Sequence, residues 1–171
     1  MMNPKIQGAF NEQLNAELFS SYLYLSMSAY FACQNLKGMA HWMQMQAQEE
    51  HMHAMKFFDF INERGAKVAL AHIDAPKTDW SSPLEAFEDT CKHESKVTGL
   101  INDLVDLSLS EKDHAANGFL QWFVTEQVEE EATAQEIRDK LKLVSDNPVA
   151  LFMIDQELGR RVPPAAPTAQ A

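Results

Sequence analysis

Glu50 and His53 stand three residues apart, a spacing that puts a carboxylate and an imidazole on one face of a helix. Alone, such a pair is most often two exposed polar neighbours. Here it falls inside an apolar stripe. Met43, Gln46, Glu50, His53, Phe57 and Phe60 recur at alternating steps of three and four, the period of a bundle core. Three other stretches repeat the pattern. One carries Glu17 between Leu14 and Tyr24, one carries Glu94 between Cys91 and Val97, and one carries Gln127 and Glu130 between Phe123 and Ala134. A register that turned these stripes outward would also expose Phe57, Phe60, Phe123 and Ile137. Four glutamates at similar depth in a core repel one another and hold their protons. Two divalent cations would cancel their formal charge, and the neutral imidazole of His53 would add a nitrogen ligand without charge. Oxygen-rich ligation with little histidine suits Fe(II) or Mn(II) better than structural zinc.

Four long helices must position these groups. Asn3-Pro4 opens the first as a cap followed by proline, and it runs to about Cys33 before a turn at Gln34-Asn35. The second spans about Leu36 to Arg64 and stops at Gly65. Residues 66–81 have no clear period and contain Pro76, which marks a long connection. Ser82-Pro83-Leu84-Glu85 has the form of a capping box, and the third helix follows to near Leu109. Ser110 to Asp113 opens the fourth, which reaches about Val144. Asp146-Asn147-Pro148 begins a short fifth helix that ends near Gly159. A helix of about 28 residues is about 42 Å long, and the connection could extend to about 55 Å. The predicted fold is all-α: two antiparallel hairpins joined by one long crossover between helices two and three, plus a short fifth C-terminal helix. Residues 1–160 form this unit, and 161–171 read as a disordered Pro/Ala-rich tail.

Composition narrows the classes. The 171 residues carry a formal net charge of −11, which disfavours nucleic-acid and anionic-membrane partners and favours a cationic ligand. Two cysteines, Cys33 and Cys91, make neither a disulfide framework nor a tetrathiolate site, and a reducing cytoplasm suits them. No signal peptide is evident from Met1 to Phe10, and no apolar run approaches the roughly 18 residues of a membrane span.

With Glu17, Glu94, Glu50-x-x-His53 and Gln127-x-x-Glu130 in place, the chain resembles the ferritin-like di-iron family. Within it, the chain is most similar to bacterial non-haem ferritins, as the run Leu120-Gln121-Trp122-Phe123-Val124-Thr125-Glu126-Gln127 illustrates. Bacterioferritins carry a second Glu-x-x-His and a haem-binding methionine after the second-helix glutamate; here that position is His51, so no haem is expected. The rubredoxin-type cysteine module of rubrerythrins is absent, and Dps-type mini-ferritins lack the fifth helix. The resemblance implies two Fe per subunit at a ferroxidase centre. Glu17, Glu50 and His53 would hold the first, and Glu50, Glu94 and Glu130 the second, with Glu50 bridging. Gln127 would hydrogen-bond near the metals; Tyr24 would hydrogen-bond a ligand carboxylate and could donate an electron, or serve as a core aromatic. Glu49, Glu126 and Glu129 match an outer third site, or equally form a solvated acidic face. Trp122 reads as packing or interface before redox.

The function the resemblance implies is iron storage and detoxification: a ferroxidase oxidising Fe(II) with O₂ and depositing ferric mineral in a homo-oligomeric shell of 24 subunits. Asn117 and Leu120 stand where animal ferritins carry acidic residues lining a three-fold pore, which predicts weak iron access by that route. The rival readings are a di-iron oxygenase or peroxidase without storage and a purely structural bundle. His41, His72, His93 and His114 read as surface residues.

Overall fold

The computed structural model describes residues 2–144 and 147–163. Five helices follow one another: α1 (Pro4–Cys33), α2 (Lys37–Glu63), α3 (Pro83–Ser110), α4 (His114–Val144) and α5 (Pro148–Leu158). Their starts are set by local chemistry. Asn3 accepts from the Lys5 amide at 2.9 Å, and Asn147 accepts from Val149 and Ala150 at 3.1 Å, each ahead of a proline at the first helical position. Ser82 caps α3 through the Glu85 amide at 3.1 Å, but Glu85 returns its carboxylate to the Ser81 amide, one residue earlier than a capping box would. The fourth helix opens from the expected 110–113 segment: α3 continues through Ser110 and Lys112 turns with φ 57°. Asp113, paired with Arg64, then caps α4 through the Ala116 amide at 3.0 Å. Asn35 (φ 59°) makes the α1–α2 turn, and Gly65 (φ 66°) follows α2 in the left-handed region that glycine enters freely.

The core has two apolar layers. One gathers Ile6, Phe10 and Leu14 of α1 with Phe57 and Ile61 of α2, Val97, Ile101 and Leu104 of α3, and Leu120 and Phe123 of α4. The other gathers Met27 and Phe31, Met39 and Met43, Phe87, and Ile137 and Leu141. The chain visits the first layer early in α1 and α4 and late in α2 and α3. So α1 opposes α2, α3 opposes α4, and α2 runs parallel to α3. Two consecutive helices that run parallel need a connection as long as the bundle, which 64–82 supplies.

That connection is tied to one side of α1. Gln7 and Asn11 donate to the Lys67 carbonyl at 3.2 Å, Asn15 to the His72 carbonyl at 3.1 Å, and Ser26 to the Lys77 carbonyl at 2.7 Å. Buried Trp80 ends it edge-on against Tyr30. Side-chain ladders of this kind leave no hydrophobic period in the connection itself, which is why its sequence reads as featureless.

The α5 helix packs on α2 and α4. Asp155, buried, accepts from the Met39 amide in the first turn of α2 at 2.9 Å. Beyond α5, Arg161 is held by several hydrogen bonds and does not belong to a disordered tail. The rest of that expectation, from 164 onward, lies outside the described residues. Leu120 is fully buried in the first layer, so it cannot line a pore as the animal-ferritin correspondence suggested.

Candidate metal centre

Between the two apolar layers lies a polar one. Glu17, Glu50, His53, Glu94, Gln127 and Glu130 are all buried, each one or two turns from the apolar residues of its own helix. The packing that hides Phe57 and Phe123 therefore forces these groups inward as well. Ligand atoms of Glu17, Glu50 and His53 lie within 4.8 Å of one another, as do those of Glu50, Glu94 and Glu130. The two groups share Glu50. The first is built wholly from α1 and α2, and the second takes Glu94 and Glu130 from α3 and α4.

Neighbours fix the carboxylates. Gln13 donates to Glu17 at 2.8 Å, and Gln46 donates to Glu50 at 3.1 Å and to Glu130 at 2.8 Å. Tyr24 donates its hydroxyl to Glu94. Gln127 donates to the other Glu94 oxygen at 3.2 Å and to Thr98 at 3.3 Å. His53 packs edge-on against Trp122 and Phe123, with ring centroids 5.3 and 5.9 Å away. One oxygen of Glu17 and one of Glu130 are buried with no hydrogen-bond partner. A buried lone pair without a donor is costly unless a cation takes it.

Electrostatics point the same way. Burial raises the pKa of Glu17 and Glu94. It raises Glu50 and Glu130 further, and for these the neighbouring carboxylates add to the effect. Tyr24 is pushed well up by burial and by the adjoining glutamates, so it stays a neutral donor. The metal-free layer therefore holds protons to higher pH than free carboxylates do, and a divalent cation would compete with them.

Outside this layer, Glu126 approaches His53 and Glu130, the three offering ligand atoms within 4.8 Å. Burial raises the pKa of Glu126, with Glu49 and Glu129 adding to the rise. Glu49 itself turns to Arg161. The expected outer set of Glu49, Glu126 and Glu129 is thus neighbouring but does not converge on one point.

The sequence matches the family model of the ferritin-like domain over residues 7–144. It is 49% identical over 161 residues to a bacterial non-heme ferritin of Bacteroides fragilis, covering 94% of this chain and 100% of that protein. The chain belongs to the ferritin family.

A probable bacterial non-heme ferritin-like protein of Haemophilus influenzae is 40% identical, with 93% of this chain and 96% of that ferritin-like protein covered. Among solved structures, the open pore ferritin of the archaeon Archaeoglobus fulgidus superposes with a TM-score of 0.94 at 49% identity, covering 95% of this chain and 100% of that one. Its engineered closed form gives 0.95, covering 96% and 100%. Among the described residues, no helix of this ferritin is long and apolar enough to cross a membrane.

Reasoning from sequence missed three supports of the ferritin centre. Gln13 and Gln46 each precede a core glutamate by four residues, and that repeated Gln-x-x-x-Glu spacing was the available signal. His93 is no surface residue: it is half-buried, meets Ser20 at 2.8 Å and packs on Tyr24, and burial lowers its pKa to about 4. His41, likewise only half-exposed, contacts the Arg161 carbonyl at 2.8 Å. Trp122 is 39% exposed, with Lys56 4.1 Å above its ring.

Proposed function

We propose that this ferritin stores iron as a ferroxidase. It takes up Fe(II) at a di-iron centre in each subunit, oxidises it with O₂, and deposits ferric mineral inside a 24-subunit shell of octahedral symmetry. The observation that carries this reading is the pair of buried ligand groups that meet at Glu50. Glu17, Glu50 and His53 bind one Fe(II), and Glu50, Glu94 and Glu130 bind the other. The relatives named as ferritins support the assignment to iron.

The protein's part is charge and geometry, while the electrons come from the metal. O₂ accepts one electron from each Fe(II). Two Fe(II) displace the protons that burial holds on the glutamates. Gln127, whose Nε2 donates to Glu94 and Thr98, orients a ligand carboxylate. Tyr24 holds Glu94 from the opposite side. Glu126, near His53 and Glu130, gives product a first step outward toward Glu49 and Glu129. We place the protein in the cytoplasm, where Cys33 and Cys91 remain thiols.

Size-exclusion chromatography with light scattering, read beside an assay of bound iron, tests both halves of the proposal. The expected result is a particle of 24 subunits that retains far more iron than two atoms per subunit after aerobic loading. A particle of four subunits or fewer would refute storage and leave a di-iron oxygenase as the alternative. Failure to bind iron at all would refute the centre.

A further inference from the structure

Beyond α5, Arg161 turns back over the opening of the centre. Its guanidinium donates to Gln46 at 2.7 Å, to the Trp42 carbonyl at 3.4 Å and to Glu49, and lies 4.4 Å from the centroid of the Trp42 ring. His41 contacts its carbonyl, so both backbone and side chain are held. The cleft below, about 130 Å³ in volume, is lined by Glu49, Glu126, Glu129 and Glu130 with Arg161 at its edge. Glu130 brings a buried oxygen without a partner to this cleft, which is what a cation site offers when empty.

We propose that Arg161 is a resident cation guarding the outer carboxylates, so that a metal ion gains Glu49 only by displacing the guanidinium. The proposal rests on the reading of the inner centre as a metal site. The Glu49 and Arg161 side chains are each 22% exposed. Glu49 joins none of the converging ligand groups, while Glu126 joins His53 and Glu130. The pairing with Arg161 supplies the physical reason. The guanidinium is a fixed charge on a long side chain, so release comes through movement of that side chain. An ion stepping outward from Glu130 and Glu126 therefore meets a like charge until Arg161 swings away. The same residue orients the inner shell. By holding the Gln46 carbonyl, it turns that amide's N–H groups toward Glu50 and Glu130. Arg161 is in this sense a positioning residue that couples the segment after α5 to the occupancy of the cleft.

Zn(II), which has no redox chemistry here, tests this on the assembled metal-free protein by calorimetric titration and by anomalous diffraction from zinc-soaked crystals. Arg161→Ala and Arg161→Gln are compared with the wild type and with Arg160→Ala, which removes an equal charge at an exposed neighbour. The expected result is tight inner zinc in all four proteins. In both Arg161 variants an outer zinc at Glu49, Glu126 and Glu129 should bind about tenfold more tightly or better, the scale on which one fixed charge acts at a partly screened site. Arg161→Gln keeps a hydrogen-bond donor, so agreement between the two variants assigns the effect to charge. Unchanged outer affinity with intact inner zinc overturns the guard and leaves the di-iron reading standing. Loss of inner zinc alone would overturn it too, since Arg161 would then act only through Gln46. Absence of inner zinc in every protein would bring down both readings.

Discussion

Glu50 is the one residue common to both ligand groups, and the groups on either side of it are unequal. One includes an imidazole; the other is all carboxylate, because Gln127 and Glu130 stand where a symmetric centre has Glu and His. Nitrogen is the better donor for Fe(II), so, with iron bound as proposed, the position at His53 should fill first. Crystals at low anaerobic iron loading should show it occupied ahead of the other; equal filling at every loading would contradict this. His53→Ala should slow the fast phase of oxidation by more than the roughly 100-fold that outer partners command, and Gln46→Ala or Gln13→Ala should weaken metal binding by about 10–100-fold. Restoring symmetry with Gln127→Glu and Glu130→His should retain iron at the centre and slow repeated turnover in stopped-flow cycles. A pH dependence follows as well. Burial raises the four glutamates above their ordinary value of 4.5, so the folded metal-free chain keeps protons that the unfolded chain has released. Stability of the metal-free protein from this source is full below that value and declines as pH rises toward the raised ones. His93, lowered to about 4, acts in the opposite sense up to about 6.5 but does so with or without metal. The gap in melting temperature between zinc-loaded and metal-free protein should therefore widen from pH 5.5 to 7.5. A constant gap would show that no protons are exchanged. At this scale the glutamates were legible in the sequence because each interrupts an apolar stripe. Arg161 was not, because it follows the last periodic segment and acts through a fold-back that no spacing encodes.

Among the elements, α5 depends on one small residue. A Cβ at Gly38 would lie 1.6 Å from the Asp155 carbonyl oxygen, so the first turn of α2 admits α5 only as glycine. Gly38→Ala should push the helix off and cost about 1–3 kcal/mol, as overpacking does. Asp155→Ala should cost about 1 kcal/mol by removing an N-terminal acceptor from α2. Thermal unfolding reads both, and Gly118→Ala, with nothing within 4 Å of its would-be Cβ, should be neutral or stabilising. Helix starts were readable from Asn3, Ser82 and Asn147 because caps are local chemistry. The α3–α4 boundary was readable to within a residue or two, but the turn at Lys112 was not, because its side chain gives no warning of a positive φ. The docking of α5 was unreadable for a related reason: it turns on contact between Gly38 and Asp155, which are far apart in sequence.

For the whole molecule, several large apolar side chains stay exposed on the isolated chain. On α5 Val149, Phe152 and Met153 are 68%, 61% and 67% exposed. If the shell forms as proposed, neighbouring subunits cover such surfaces. Phe152→Glu should then give smaller particles by light scattering while zinc still binds at Glu17, Glu50 and His53; an intact 24-subunit particle would exclude α5 from the contacts. The sequence showed that a fifth helix existed, yet the number of subunits entered only by resemblance, since no single-chain pattern counts copies. Finally, the division of ligands between the hairpins makes the protein a candidate for splitting. The α1–α2 hairpin carries Glu17, Glu50 and His53, and the α3–α4 hairpin carries Glu94 and Glu130. Each half alone would strand its carboxylates, and the strap between them serves as a tether with an effective concentration on the order of millimolar. Two fragments divided within that strap should rejoin weakly without metal and firmly with it, so that a divalent cation becomes the clasp of a two-part complementation system.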